Sequence, residues 1–450
     1  MSTDKKITRR EFIEKSAMGT AGLTIASTFG APTILANPNP SDVVGVGVIG
    51  IGIRGSGLLR QVMGVPGTQV RGLCDAYTGY MERALNIVKP VNPDVRSYKD
   101  YRRLLENKDI NAVIIATPDH LHAVMTCDAA GAGKDIYVEK NMTHTIPEAK
   151  DIVKAVKRNK RILQLGHQAS SSPANWRARE IYKSGILGQV SLIKISMFRN
   201  TASGAWVYNI PSDASPQTVD WDRFLGNAPK RPFDSDRFFR WRKYYDYGTG
   251  VVGDLLSHEF NGVNFIMGIG IPKTCVASGG IYYWNDGRDV PDVFNVIYDY
   301  PDKGLAIIFY STFSNSSFGI ETGMQICGDN ATFLGRGEGG GSGFSVFLEP
   351  YGERNLEILD KLAAEKGIKQ EKDSRGRKRR VPFPVYDFSR EEGLYFTSHM
   401  ENFIDCVRTR ERTRCNEDDG FEVSVTSIMS VIAANEKRQV TWDPVRQEVV

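Results

Sequence analysis

Two spacings in this 450-residue chain carry chemistry. The first is the GxGxxG run Gly50, Gly52, Gly55, with Asp75 twenty residues beyond its last glycine. The first glycine allows a tight turn, the second lets backbone approach a pyrophosphate, and the third lets helix pack on strand. A helix opening at Ile53 and Arg54 aims amide donors and a partial positive charge at that anion. An acid at Asp75 binds the ribose hydroxyls of an adenine dinucleotide and repels an added phosphate, which favours NAD over NADP. The second spacing is Asp254 and His258, four residues apart and so on one helix face. A carboxylate there orients and charge-stabilises an imidazole that titrates near working pH. Hydride leaves a carbinol carbon only if the hydroxyl proton also leaves, so a base must lie within hydrogen-bond reach. His258 is the candidate.

The elements around the glycines alternate in βα fashion. Val43 to Ile49 is a buried strand running into the glycine turn, and "SGLLRQVM" continues as a helix. Gln69 to Cys74 is a second strand ending at Asp75. Helices are expected over 80–88, 120–130 and 146–158, and strands over "INAVIIATP", "DIYVEK" and "RILQLG". Continuous apolar strands suit a parallel sheet buried on both faces, and the whole reads as a doubly wound Rossmann unit. Ligands bind outside the carboxyl ends of such strands. Thr117, Pro118, Glu139, Lys140 and His167 all fall at those ends or just past them, and His122 follows close behind. Thr117, Pro118, His122, Glu139 and Lys140 join the glycine loop as the expected cofactor contacts, with His122 packing or capping near the nicotinamide, while His167 borders the cleft on the substrate side.

After Gly166 alternating strands dominate: 190–198, 274–283, 293–300, 305–312 and 320–327. They predict an α+β domain on a mostly antiparallel open sheet, with helices over 254–267 and 395–408 covering one face. The expected division is a leader over 1–36, an NAD-binding domain over 37–166, and a substrate domain over 167–450. A flexible glycine stretch (335–343) opens an insertion at about 336–390. His167, Trp241, Arg242 and Tyr247 are the substrate candidates, with Trp206 and Tyr208 also suited to stacking on a sugar.

The N-terminus has its own signature. Lys5, Lys6, Arg9 and Arg10 precede a mildly apolar run rich in Ala, Gly and Thr, too short to span a membrane permanently. The arginine pair followed by Glu11, Phe12 and Ile13 resembles a twin-arginine signal, which exports folded proteins to the periplasm. Composition is ordinary for a globular protein, with 41% hydrophobic and 24% charged residues. A net charge of +4 gives no reason to invoke nucleic acid or anionic lipid. The basic run Arg375 to Arg380 has no interleaved aromatics and reads as a solvated loop. The six cysteines show no metal-ligand spacing, and no metal site is expected. Cys406 and Cys415 are near enough in sequence to pair, which spacing alone does not decide.

"GVIGIGIRGSG", "ATPDHLHA", "VEKNMTHTIPEA", "VDWDRFLG" and "GTGVVGDLLSHEFNGVNFIMG", in this order, resemble the glucose–fructose oxidoreductase, inositol dehydrogenase and rhizopine-catabolism family, Gfo/Idh/MocA. The resemblance covers essentially the whole chain after the leader. It implies a nicotinamide at the junction of the two domains. It also implies that Lys140, matching the lysine of a Glu-Lys-Pro motif, stands near the nicotinamide and the reacting hydroxyl, with Asn141 replacing the proline. Asp254 and His258 match the family's Asp-x-x-x-His pair. A desolvated Lys140 beside a cationic nicotinamide could share the role of base. Pairing of exposed sheet faces in this family implies a homodimer or tetramer.

Three functions remain open at this level. One is a sugar or glycoside dehydrogenase that oxidises a ring hydroxyl, C3 being a candidate, and returns the hydride to a second carbonyl. Another is a redox-neutral hydrolase resembling glycoside hydrolase family 109, although that branch's Tyr-Pro-Thr-His-Gly stretch is absent. The third is an NAD-dependent binding protein. Free NAD is not expected outside the cytoplasm, so an exported enzyme would have to carry its cofactor tightly bound.

Overall fold

The computed structural model describes residues 43–317, 323–350, 355–368, 383–389 and 397–450, with parts of 371–379. The expected leader and most of the basic run at 375–380 lie outside the described residues.

The first layer is a parallel sheet built from β1 (Val44–Ile49), β2 (Thr68–Cys74), β3 (Arg96–Tyr98), β4 (Ala112–Ile115), β5 (Asp135–Val138) and β6 (Leu163–Leu165), in the order β3-β2-β1-β4-β5-β6. Every residue of β1, β4 and β5 is buried, as strands covered on both faces require. The crossovers are α1 (Ile53–Met63), α2 (Thr78–Val88), α3 (Tyr101–Leu105), α4 (Asp119–Gly131) and α5 (Ile146–Asn159). The last opens with a capping box between Thr145 and Glu148.

After α6 (Pro173–Lys183) comes β7 (Val190–Phe198), then α7 (Trp221–Leu225), α8 (Ser235–Phe239) and α9 (Ser257–Met267). The remaining strands are β8 (Thr274–Gly280), β9 (Val293–Tyr300), β10 (Leu305–Thr312), β11 (Gly323–Gly328), β12 (Ala331–Arg336), β13 (Gly343–Leu348), the short pair β14 (Glu371–Lys372) and β15 (Lys378–Arg379), and β16 (Tyr386–Ser389). Between β13 and β14 lies α10 (Leu356–Glu365). The chain ends with α11 (His399–Thr409), α12 (Glu417–Glu436), β17 (Val440–Asp443) and β18 (Glu448–Val449). Ten strands form one sheet, antiparallel except where β10 runs parallel to β7. In β9 and β10 alternate residues are buried, so one face packs and the other stays open.

Two expectations need correction. The helix expected over 395–408 is α11, and it does not cover the second sheet. Its Met400, Phe403, Ile404 and Val407 pack with Val46, Leu59 and Ile114 of the parallel layer. Arg410 ties it there by bracketing Asp135. The second sheet is covered instead by α9 and by α12, whose Val423, Ile428 and Met429 pack into the core of that sheet. The glycine stretch expected to be flexible is fastened. Gly339 N donates to Glu259 Oε1 (2.8 Å), Asn175 Nδ2 donates to Gly339 O (2.8 Å), and Ser172 Oγ donates to Gly341 O (2.6 Å). A Cβ on Gly262 would lie 2.4 Å from Gly339 O, so helix and loop meet backbone to backbone. The pairing that spacing left undecided is absent: all six cysteines are free, Cys406 and Cys415 included. Within the stretch read as an insertion, β13 and β16 lengthen one end of the sheet.

Candidate active site

The glycine loop joins β1 to α1, and each glycine has its own physical reason. Gly50 has φ +82°, and a Cβ there would stand 2.8 Å from the Ala116 backbone. A Cβ on Gly55 would lie 1.9 Å from Gly50 O. At Gly52 the only neighbour of a Cβ is the Tyr80 ring, 3.5 Å away, so this position faces open space. That space belongs to a cavity of about 630 Å³ lined by Gly50, Gly52, Asp75, Thr117, Pro118 and Trp241, among others. A loop that is close-packed at its ends and empty in its middle, at a helix N-terminus, fits a dinucleotide pyrophosphate. Ile53, the first residue of α1, is 68% exposed.

Asp75 ends β2 and lines the same cavity. Its carboxylate accepts from Ile51 N at 2.5 Å and Tyr77 N at 2.8 Å, so it also braces the glycine loop. Burial pushes its pKa up to about 6 against the pull of these donors. A segment of the second domain covers this end of the cavity. Thr78 N donates to Thr218 O, Asp220 N to Ala76 O, and Tyr77 Oη to Asp213 Oδ1. Tyr77 packs there with Val219, Phe224, Phe238 and Phe239 in an aromatic cluster.

At the other end stand the residues after β4, β5 and β6. His122 is wholly buried; its ring nitrogens contact Thr117 O (2.8 Å) and Asn141 O (2.7 Å), joining the two crossover loops from beneath. Glu139 accepts from Arg54 Nε at 2.7 Å and fixes that arginine. Lys140 Nζ donates to Asp254 Oδ1 and to Asp254 O, both at 2.7 Å. The lysine side chain is 10% exposed and the aspartate 14%.

Asp254 does not sit in a regular helix. It lies in a π-helical turn, Val252–Leu256, that feeds α9. Such turns widen a helix locally and recur at functional sites. Besides Lys140, its carboxylate accepts from Arg242 Nε (2.9 Å) and Trp206 Nε1 (2.8 Å), and Arg199 Nη1 stands at 3.9 Å. Burial alone would raise its pKa. Lys140, Arg242 and Arg199 together outweigh burial and hold it well below the usual carboxylate range. Beside its expected action on His258, Asp254 organises the lysine, the arginine and the indole through its oxygens. His258 is 7% exposed. Burial, then Lys140 and His167, hold its pKa well below the ordinary histidine value, while Asp254 works weakly in the opposite direction.

His167 lies across from His258, with ring centroids 5.1 Å apart at 89°. It is wholly buried, and neither ring nitrogen has a hydrogen-bond partner among the described residues. A buried imidazole left unsatisfied on both sides costs free energy that a ligand's polar groups can offset.

Trp241 lines both the large cavity and the small recess around Lys140, Arg242 and Asp254, so it stands between them. Two aromatic candidates are displaced from the expected place. Tyr247 is wholly buried in the aromatic cluster against Phe224 and His120, and offers no face to a sugar. Trp206 is equally buried, edge-on to Phe313, and acts through its indole N–H on Asp254. It holds φ +63°, rare for so bulky a residue, which surrounding contacts must enforce. Sequence reasoning missed Arg199, which follows the end of β7, and Asp119. Asp119 Oδ2 accepts from Thr249 N and Oγ1 beside the recess. Neither carries a local sequence signal.

Residues 44–167 match a profile described as "Oxidoreductase family, NAD-binding Rossmann fold", and residues 217–442 match "Oxidoreductase family, C-terminal alpha/beta domain". Among curated proteins, a "Glycosyl hydrolase family 109 protein" of Shewanella baltica (strain OS195) is 29% identical over 203 residues, 41% of this chain and 44% of that protein. An "Alpha-N-acetylgalactosaminidase" of Shewanella oneidensis gives the same identity and coverage. The chain thus matches less than half the length of these relatives. Among solved structures, levoglucosan dehydrogenase in complex with NADH and levoglucosan aligns with a TM-score of 0.61 at 17% identity, over 88% of this chain and 99% of that one. An aldose-aldose oxidoreductase from Caulobacter crescentus complexed with glycerol gives 0.62 at 17%, over 89% and 99%. At this identity the two structures establish a shared fold.

Proposed function

Because the chain belongs to the Gfo/Idh/MocA oxidoreductase family, we propose that it is an NAD-dependent oxidoreductase acting on a ring hydroxyl of a sugar or glycoside, C3 being the leading candidate. The observation that carries this reading is the placement of Lys140. It stands at the strand ends beside the dinucleotide groove, anchored on Asp254 in the same recess. His258 and His167, both kept neutral by burial and by that lysine, face each other on the site's other flank.

The glycine loop and Asp75 would hold NAD, which would supply the hydride acceptor. The chain's own residues do the rest. Lys140 Nζ donates to the reacting oxygen, and Asp254, held anionic, keeps the amine in place. A ring nitrogen of His258 takes the hydroxyl proton as a general base. Its depressed pKa keeps it unprotonated, and so competent, into mildly acidic solution. His167 offers its two unsatisfied nitrogens to a neighbouring hydroxyl. The segment clamped over the adenosine end slows loss of the cofactor. That suits the rest of the proposal: export of the folded, loaded protein by a twin-arginine route, with hydride returned in place to a second carbonyl.

A second reading is favoured by the names of the curated relatives: redox-neutral cleavage of a glycoside, in which the same hydroxyl is oxidised only transiently. One experiment separates them. Protein purified without added cofactor is mixed with aryl glycosides, and reduced nicotinamide, keto-sugar and free aglycone are followed together. A keto-sugar without aglycone supports the oxidoreductase. Aglycone release with no accumulating ketone supports the hydrolase. Bound NAD that no sugar reduces, and no aglycone, refutes both.

A further inference from the structure

The recess around Asp254 carries more positive charge than its acids balance. Lys140 and Arg242 line the recess opposite Asp254 and Asp119, and Arg199, which approaches Asp254 from beside it, brings the one cation in excess. Asp119 is already engaged by Thr249. Two of the cations are also poorly spent. Arg242 uses its Nε on Asp254, while its two terminal nitrogens make no hydrogen bond among the described residues. Its guanidinium carbon lies 4.2 Å from the centroid of the Trp241 ring, so the plane of the fork is set in advance. Arg199 gives one long contact, 3.4 Å to Gly204 O, beside its 3.9 Å approach to Asp254. The two arginine side chains are 24% and 30% exposed.

Half-buried cations that share one carboxylate are incompletely compensated, and a bound anion offsets that cost. An arginine fork with a fixed plane and free terminal nitrogens suits a planar carboxylate, which it grips with two parallel hydrogen bonds. Lys140 Nζ and Arg242 Nε touch the same oxygen of Asp254, at 2.7 and 2.9 Å. The amine and the arginine fork are therefore neighbours, within reach of a hydroxyl and a charged substituent of one sugar ring. We propose that the substrate is an anionic sugar, a glycoside bearing a carboxylate such as a hexuronoside, with Arg242 and Arg199 as the residues that select it. This inference rests on the oxidoreductase reading above and names its substrate class.

The test compares aryl glucosides, galactosides and mannosides with their uronosides, and with the 6-sulfated sugars, as reductants of bound NAD. The expected result is that at least one uronoside exceeds its neutral partner by about tenfold or more in kcat/KM, as charge-assisted hydrogen bonds warrant. Arg199→Gln and Arg242→Gln should each drive that ratio toward one, chiefly through KM. In the unaltered protein, added salt should raise KM for the uronoside and leave that for the neutral sugar nearly fixed, since only the former depends on screened charge. A sulfated sugar preferred over the uronoside would overturn the carboxylate assignment. Neutral sugars turned over as well as their uronosides, with no salt dependence, would overturn the inference and leave the oxidoreductase reading standing. Reduction of NAD by none of these sugars would overturn both.

Discussion

Replacing Gly52 by alanine separates the fold from the cofactor. The added Cβ meets only the Tyr80 ring, at 3.5 Å, and otherwise enters the cavity. The backbone there, φ −63° and ψ −153°, is extended and at the N-cap of α1. Alanine caps a helix less well than glycine, so the expected loss of fold stability is about 0.5–1 kcal/mol. The same methyl stands where a pyrophosphate must approach the loop, and NAD affinity should fall by about tenfold or more, roughly 1.4 kcal/mol. Gly55→Ala is the control with the opposite signature. Its Cβ would lie 1.9 Å from Gly50 O, a backbone atom that cannot rotate away. Overpacking there should cost about 1–3 kcal/mol of stability or more. The assay is a thermal melt of nucleotide-stripped protein alongside calorimetric titration with NAD. If Gly52→Ala binds NAD as tightly as the unaltered protein does, the loop is not the pyrophosphate cradle and the reasoning fails.

Other consequences concern chemistry and pH. Lys140→Met and His258→Ala should retain NAD but lose about two to four orders of magnitude in its reduction by substrate, measured in single-turnover mixing; near-normal rates in either variant would remove that residue from the mechanism. The acid limb of the kcat/KM profile should fall below pH 6.5, because the folded protein holds His258 well below its ordinary value; a limb at or above pH 6.5 would contradict this. Half-buried His120 and buried His399 have pKa values lowered to about 4, mainly by desolvation. The unfolded chain takes up protons from about pH 6.5 downward and the folded one does not, so stability falls as pH drops from 6.5 toward 4. The loss should approach about 3 kcal/mol per histidine, offset in part by Asp75, which takes up a proton in the folded state from about pH 6 downward; denaturant midpoints of the protein and of an Asp75→Asn variant read it, and a variant whose midpoint does not fall over this range would mean these rings are accessible.

The cofactor half of the site was legible in the sequence because its constraints are local. A turn of positive φ at Gly50 and a backbone approach at Gly55 each exclude every side chain, and strands buried on both faces read as unbroken apolar runs. The substrate half depends on contacts distant in the chain. Nothing near Arg199 announces that it will approach Asp254, 55 positions on. The types of Tyr247 and Trp206 suit a sugar platform and a core equally, and packing decided for the core. Helix α12 escaped notice because its buried positions run almost continuously from Val423 to Ser430, mixing Val, Ile and Met with Ser and Thr, without the stripe of an amphipathic helix. The glycine stretch misled for a related reason. Glycine signals freedom in an isolated chain, but here it lets loop and α9 touch, with Glu259 and Asn175 fastening the contact.

The central claim is that hydride passes between a sugar carbon and NAD in the recess that holds Lys140. The direct measurement is a single turnover with a substrate deuterated at the carbon to be oxidised, quenched and analysed by mass spectrometry for label in the nicotinamide ring. The account predicts deuterium on the nicotinamide with the unaltered protein and none with Lys140→Met. Substrate consumed while the nicotinamide stays unlabelled would contradict it.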